Sequence, residues 1–155
     1  MKIKNLEIRE IGATEGDELF KLLTSDDKSY SKYFIPFPFE LEVIKNILRE
    51  KKQDKFFGIF EESKLIGFYM LRGFDEGFNV PSYGVWISKS YSNKGLSTLT
   101  LYHAFAFCRL NNISKLMLKV HPQNTVAKNI YEKLGFREQG LDQKNNNLIY
   151  YKDIK

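Results

Sequence analysis

Residues Tyr83 to Arg109 read YGVWISKSYSNKGLSTLTLYHAFAFCR, and three pieces follow one another within them. Tyr83 to Ser88 is a short run of aromatic and β-branched residues, which predicts a strand. Lys89 to Ser97 is polar, contains Gly95 and has no apolar period, which predicts a loop. From Thr98 to Leu110 apolar residues recur at helical spacing. Strand, small-residue loop and helix in that order aim a row of backbone N–H groups and a helix N-terminus at a phosphate. The helix carries Leu96, Leu99, His103, Ala106 and Leu110 on one stripe and Leu101, Phe105 and Cys108 on another. Being apolar nearly all round, it is expected to be heavily buried, and His103 on its stripe reads as a core histidine.

Upstream of this stretch, Lys55–Glu61 and Lys64–Arg72 read as two strands joined by a tight turn at Glu62-Ser63, a hairpin. Gly73 to Asn79 is a polar connection that brings the opening strand into a third antiparallel pairing. The N-terminal part holds a strand within Lys2–Ile11, a short amphipathic helix over Glu15–Thr24 and a second helix over Leu41–Lys52. Between those helices lies SYSKYFIPFPFE, Ser29 to Glu40, where Pro36 and Pro38 forbid a regular helix and five aromatics fall within ten residues. Downstream, Lys115–Val120 alternates as a strand. Asn124–Leu134 is a helix with Asn124 placed to cap it and Gly135 to stop it. Phe136–Gln139 and Leu148–Lys152 are the last two strands. The element order is β-α-α-β-β-β-α-β-α-β-β.

Bulk properties narrow the classes. With 155 residues, 43% hydrophobic and 28% charged, the chain suits one domain with a full core. The net charge of +5 comes from lysines spread along the chain, which reads as solubility and fits an anionic cofactor rather than a nucleic-acid surface. One cysteine, Cys108, excludes an internal disulfide and a thiolate metal cluster, and His103 and His121 lack ligand spacing, so no metal is expected. No apolar run approaches the ~20 residues that span a membrane. MKIKNLEIRE has no signal-peptide pattern, so a cytoplasmic location is expected.

The element order, together with Ser92–Ser97 and Asn124–Phe136, resembles the GNAT superfamily of acetyl-CoA-dependent N-acetyltransferases. That family's cofactor signature is Gln or Arg, two residues, Gly, one residue, Gly or Ala. Ser92-Asn93-Lys94-Gly95-Leu96-Ser97 matches it outright only at Gly95. Asn124 to Phe136, NTVAKNIYEKLGF, is similar to the family's Asn-x-x-Ala-x-x-x-Tyr-x-x-x-Gly-Phe run at every fixed residue. The resemblance implies a single α/β (α+β) domain over residues 1–155, a mixed and mostly antiparallel sheet of about seven strands with about four helices. It also implies acetyl-CoA as cofactor and acetyl transfer to a primary amine by direct attack.

On that resemblance, the pyrophosphate falls to the amides of Asn93, Lys94, Gly95, Leu96, Ser97 and Thr98 beside Ser92. The pantetheine lies along Val85, Trp86 and Ile87, with the Ile87 amide facing the thioester oxygen. Tyr131 matches the proton donor to the leaving thiolate, and Asn124 both caps its helix and meets the pantetheine. Ser92 lacks the reach of the family's Arg or Gln, for which Lys89 or Lys94 can substitute. No carboxylate stands at Ser82 or Tyr83, where many relatives carry a glutamate. Asp75 and Glu76, His121 with its near-neutral imidazole, or a water chain stay open as the route for the amine's proton. Tyr30, Tyr33, Phe34, Phe37, Phe39, Phe74, Phe78 and Tyr83 are candidate walls of an acceptor pocket. The expected acceptor is a small-molecule amine such as an amino sugar or sugar nucleotide. A protein N-terminus is the alternative within the enzyme class, and a non-catalytic CoA sensor the alternative outside it. A homodimer is compatible with the family, and no interface is legible.

Overall fold

A computed structural model describes residues 2–155. Seven strands form one sheet: β1 (Leu6–Glu10), β2 (Lys55–Glu61), β3 (Lys64–Arg72), β4 (Ser82–Ile87), β5 (Lys115–Val120), β6 (Arg137–Leu141) and β7 (Leu148–Asp153). Four helices accompany them: α1 (Gly16–Thr24), α2 (Leu41–Glu50), α3 (Leu96–Leu110) and α4 (Thr125–Lys133). The sheet order is β1-β2-β3-β4-β5-β7-β6, and only the β4–β5 pairing is parallel. The element order and mixed sheet are those the sequence predicts, with short 3-10 turns at Ala13–Glu15, Phe74–Glu76 and Lys89–Tyr91 added in the connections.

Local chemistry accounts for the pieces that position the site. The β2–β3 hairpin turns at Glu62 and Ser63, both at positive φ (46° and 75°), the backbone twist that matches two antiparallel strands. Helix α4 starts where the Asn124 side chain accepts the Ala127 N–H at 3.3 Å and stops at Gly135, φ 95°.

Two hydrophobic layers flank the sheet. On one face α1 and α2 pack Leu19, Leu22, Leu23, Ile44 and Leu48 over Phe56, Phe60, Phe68, Met70 and Trp86. On the other, α3 and α4 pack Leu101, Phe105, Cys108 and Tyr131 over Phe57, Tyr69, Leu71, Tyr83, Leu118 and Tyr150. His103 is half-buried on α3, its Nδ1 within 2.5 Å of the Tyr69 hydroxyl, and burial holds its pKa below the ordinary value. Strand alternation sorts the remaining side chains. On β5, Leu116, Leu118 and Val120 join the α3/α4 layer, which turns Met117, Lys119 and the following His121 to the α1/α2 face.

Candidate active site

The sheet is incomplete in its middle. Strand β4 meets β5 only through Ser82↔Met117 and Tyr83↔Leu118, and from Val85 onward the two diverge. On the other edge of β4 the ladder to β3 runs its full length, from Arg72↔Ser82 to Gly67↔Ile87. Ser88 N–H donates to the Ile66 carbonyl at 2.9 Å, which sets the hydrogen-bonded pairs at 68/86, 70/84 and 72/82. The N–H and C=O groups of Val85 and Ile87 therefore point away from β3, into the gap. A cavity of about 700 Å³ occupies this gap and opens to both faces of the sheet.

On the α3/α4 side, the loop after β4 carries two left-handed residues, Asn93 (φ 60°) and Gly95 (φ 84°), ahead of the 15-residue helix α3. Ser92 ahead of them is extended, and the first amides of α3 have no partner within the helix. A Cβ on Gly95 would meet nothing within 4 Å, so the space above this cradle is open. Across the gap stand Asn124, Val126, Ala127, Ile130 and Tyr131 of the α4 region.

Two buried phenols share this wall and differ in their partners. Thr100 gives its hydroxyl proton to the Ser97 carbonyl at 2.8 Å, so the Tyr83 hydroxyl, 2.8 Å from Thr100 Oγ1, must donate to it. The Tyr131 ring is wedged edge-on between Tyr83 and Phe136 at centroid distances of 6.4 and 5.8 Å. Burial pushes the Tyr131 phenol up to about 12, so it stays protonated through the neutral range.

On the α1/α2 side, residues 25–40 form a roof fixed to both diverging strands. Asp26 accepts the Lys89 N–H at 3.0 Å, and the Tyr30 hydroxyl donates to the Ile87 carbonyl at 2.6 Å. Tyr33 stacks on His121 at the end of β5. Phe34 lies over β4 against Trp86 and Phe68. It fits because residue 84 is glycine: a Cβ there would come within 3.3 Å of the Phe34 ring and 2.7 Å of Met70 Cε. The Trp86 indole N–H beneath is buried without a partner. Lys119 donates to Asp142 at 2.9 Å, and this pair, with Asn145 and Asn147, closes the far wall.

Of the residues expected at the site, the cavity wall contains Tyr30, Tyr33, Phe34, Tyr83, Val85, Trp86, Ile87, Ser92, Asn93, Gly95, Leu96, Ser97, Thr98, His121, Asn124 and Tyr131. Lys94, Phe37, Phe74 and Glu76 are not in it. Phe37 is buried in the α1/α2 layer, and Phe74 packs against the α3/α4 layer. Glu76 sits in a solvent-facing 3-10 turn between Gly73 and Gly77. Asp75 accepts the backbone N–H groups of Lys52 and Gln53 at 2.9 and 2.7 Å, which hold its carboxyl below the ordinary value and tie it to a structural turn. Arg72, Lys119, Asp142, Asn145 and Asn147 line the cavity without having been anticipated. A strand-end arginine and a polar turn before the last strand carry no sequence signal of their own.

A sheet parted at its centre beside a glycine-bearing loop and a free helix N-terminus has room and donors for an extended phosphorylated ligand. Residues 17–136 match the model of the acetyltransferase (GNAT) family, and the chain belongs to that family. PaiA N-acetyltransferase from Thermoplasma acidophilum, solved in complex with coenzyme A, is 22% identical with a TM-score of 0.77, covering 96% of this chain and 99% of that one. A GNAT-family acetyltransferase from Streptococcus pneumoniae is 21% identical, TM-score 0.73, covering 97% and 100%. The ribosomal-protein-S18-alanine N-acetyltransferase from Escherichia coli is 16% identical, TM-score 0.74, covering 97% and 94%. No curated protein matches in sequence. These structural likenesses carry the fold, and family membership makes the chain an acyltransferase with acetyl-CoA as its cofactor. The residues present fit that cofactor: the open cradle over Gly95, the gap beyond Tyr83 and the free phenol of Tyr131 lie along one cavity.

Proposed function

We propose that the protein transfers the acetyl group of acetyl-CoA to a primary amine of a small molecule that enters from the α1/α2 face. The observation that carries this reading is the roof of residues 25–40, fastened by Tyr30 to the end of β4 and by Tyr33 to the end of β5. It covers the α1/α2 side of the cavity and narrows the approach that a protein terminus needs.

Acetyl-CoA, when bound, supplies the activated acetyl group; the chain holds it and manages charge and protons. The loop amides from Asn93 to Thr98 and the α3 N-terminus would hold the pyrophosphate. The Ile87 N–H, turned into the gap, would stabilise negative charge on the acyl oxygen. Tyr131 supplies a proton to the departing sulfur. His121 Nδ1 accepts the Gln123 N–H at 3.1 Å, so the neutral ring carries its own proton on Nε2 and serves as a donor that orients the acceptor. No carboxylate of the described residues lines the cavity except Asp142, which is paired with Lys119. The amine accordingly loses its proton to water at the mouth.

The test is a free-CoA release assay with purified protein, acetyl-CoA and a panel of amino sugars, other small amines and short peptides. Turnover of small amines in preference to peptides is expected. Preferential turnover of peptides would move the assignment to protein N-termini, and thermal stabilisation by acetyl-CoA without any turnover would move it to a CoA sensor.

A further inference from the structure

Resting on the acyl-acceptor reading, we infer that the acceptor amine carries an anionic group, a carboxylate or a phosphate, which Arg72 receives. Of the five arginines in the chain, Arg72 alone is half-buried and the other four are exposed. Arg9 is paired with Glu7 and Glu15, Arg49 with the Asn46 side chain and Arg109 with the Lys155 carbonyl. Arg137 stands in solvent. Arg72 lines the cavity, yet its side chain makes no hydrogen bond or ion pair among the described residues.

Its placement gives it a purpose that stability alone does not. The guanidinium sits over the rings of Phe37 and Phe56, 5.7 and 5.9 Å from their centroids, contacts that hold it in place without using its N–H donors. The neighbouring charges do not balance it, since Lys119 and Asp142 pair with each other at 2.9 Å. The described cavity wall therefore holds one unneutralised guanidinium. A planar fork with unmet donors in a partly dehydrated chamber selects a carboxylate or phosphate, which it grips through two parallel bonds.

The cofactor's own phosphates cannot be its partner. Arg72 pairs with Ser82 at the first residue of β4, whereas the phosphate cradle follows Ile87 at the last, five residues further on. That separation is roughly 16 Å at about 3.3 Å per residue. Arg72 also stands on the α1/α2 face with Met70 and Phe68, whereas α3 lies across the sheet. The anion it awaits belongs to the acceptor.

The experiment uses matched pairs: propylamine against 3-aminopropanoate for carboxylate, and ethanolamine and glucosamine against their phosphate esters for phosphate. Specificity constants for CoA release are measured with the wild-type protein, Arg72→Gln and Arg72→Lys, and binding of each amine to the CoA-loaded protein is measured separately by calorimetry. At least tenfold preference for one anionic class is expected, falling at least tenfold in Arg72→Gln and partly restored in Arg72→Lys, with unfolding midpoints confirming that the variants fold. Neutral amines turned over as well as their anionic partners, or a preference that survives Arg72→Gln, would overturn the inference while leaving acetyl transfer intact. Arg72-dependent binding of an anionic amine without turnover would uphold it and sink the acetyl-transfer reading instead. Neither binding nor turnover of any anionic member overturns it.

Discussion

Tyr33 lies on His121 with ring centroids 4.5 Å apart and planes 29° from parallel, joining the α1–α2 connection to the end of β5. The same imidazole takes the Gln123 N–H on Nδ1. One contact fixes the ring face and the other its tautomer, so His121 is held in a single orientation at the point where the roof meets the sheet. The opposite fastening, Tyr30 on Ile87, does the equivalent for β4.

Replacing Tyr30 by Phe removes that fastening and leaves the Ile87 carbonyl facing the gap. A single hydrogen bond contributes about 1 kcal/mol. Urea unfolding should register a loss of that order, and the acceptor KM should rise several-fold while acetyl-CoA binding changes little. A larger effect on acetyl-CoA than on the acceptor would place Tyr30 on the cofactor instead of the roof.

Tyr131→Phe keeps the ring between Tyr83 and Phe136 and deletes only the phenolic hydroxyl. General-acid assistance is worth roughly 10²-fold or more. Steady-state kinetics should therefore show kcat falling by about that factor with acetyl-CoA affinity preserved. Because the phenol lies up at about 12, no loss of rate from its ionisation is expected below pH 10. A variant with wild-type kcat would remove Tyr131 from proton transfer.

His103 makes a prediction about stability. Burial lowers its pKa from an ordinary 6.5, so the unfolded chain takes up this proton before the folded one. Well above pH 6.5 both states are neutral there and the group contributes no pH dependence. As pH falls from that value toward the lowered folded pKa, stability is lost. Unfolding free energies measured between pH 7.5 and 5.5 should decline in the wild type and decline less in His103→Gln, whose amide still offers Tyr69 a partner. Equal slopes in the two proteins would refute the assignment.

Much of this architecture was legible beforehand because periodicity reports burial directly. The two apolar runs of Lys55–Arg72 around their tight turn and the capped run Asn124–Gly135 each had one physical solution, and the loop around Gly95 followed from small polar residues between a strand and a helix. The acceptor chamber was only half legible, for a reason visible in Phe37 and Phe34. Both sit in the same proline-broken aromatic segment, yet Phe37 is buried under Arg72 and Phe34 reaches the cavity. Ring content identifies a segment that packs, and three-dimensional path alone decides which ring faces a ligand. Arg72 and Asp142 carry no sequence signal on the same ground: Arg72 meets Phe37 and Phe56 from other elements, and Asp142 meets Lys119 from β5.

The two-residue ladder between β4 and β5 has a mechanical consequence. Through its middle the sheet is a weak seam between a block containing β1 to β4 and a block containing β5 to β7, each knit by long antiparallel ladders. On the proposed reading, a ligand lying in the gap would act as a surrogate strand and take the Val85 and Ile87 amides that no neighbouring strand reaches. Hydrogen exchange at those two amides should slow markedly when CoA is added, while exchange within β2 and β3 stays constant. Equal protection at Val85 and Ile87 with and without CoA would contradict this picture. The protein's rigidity across its centre is then a property borrowed from its cofactor, renewed and lost with each turnover.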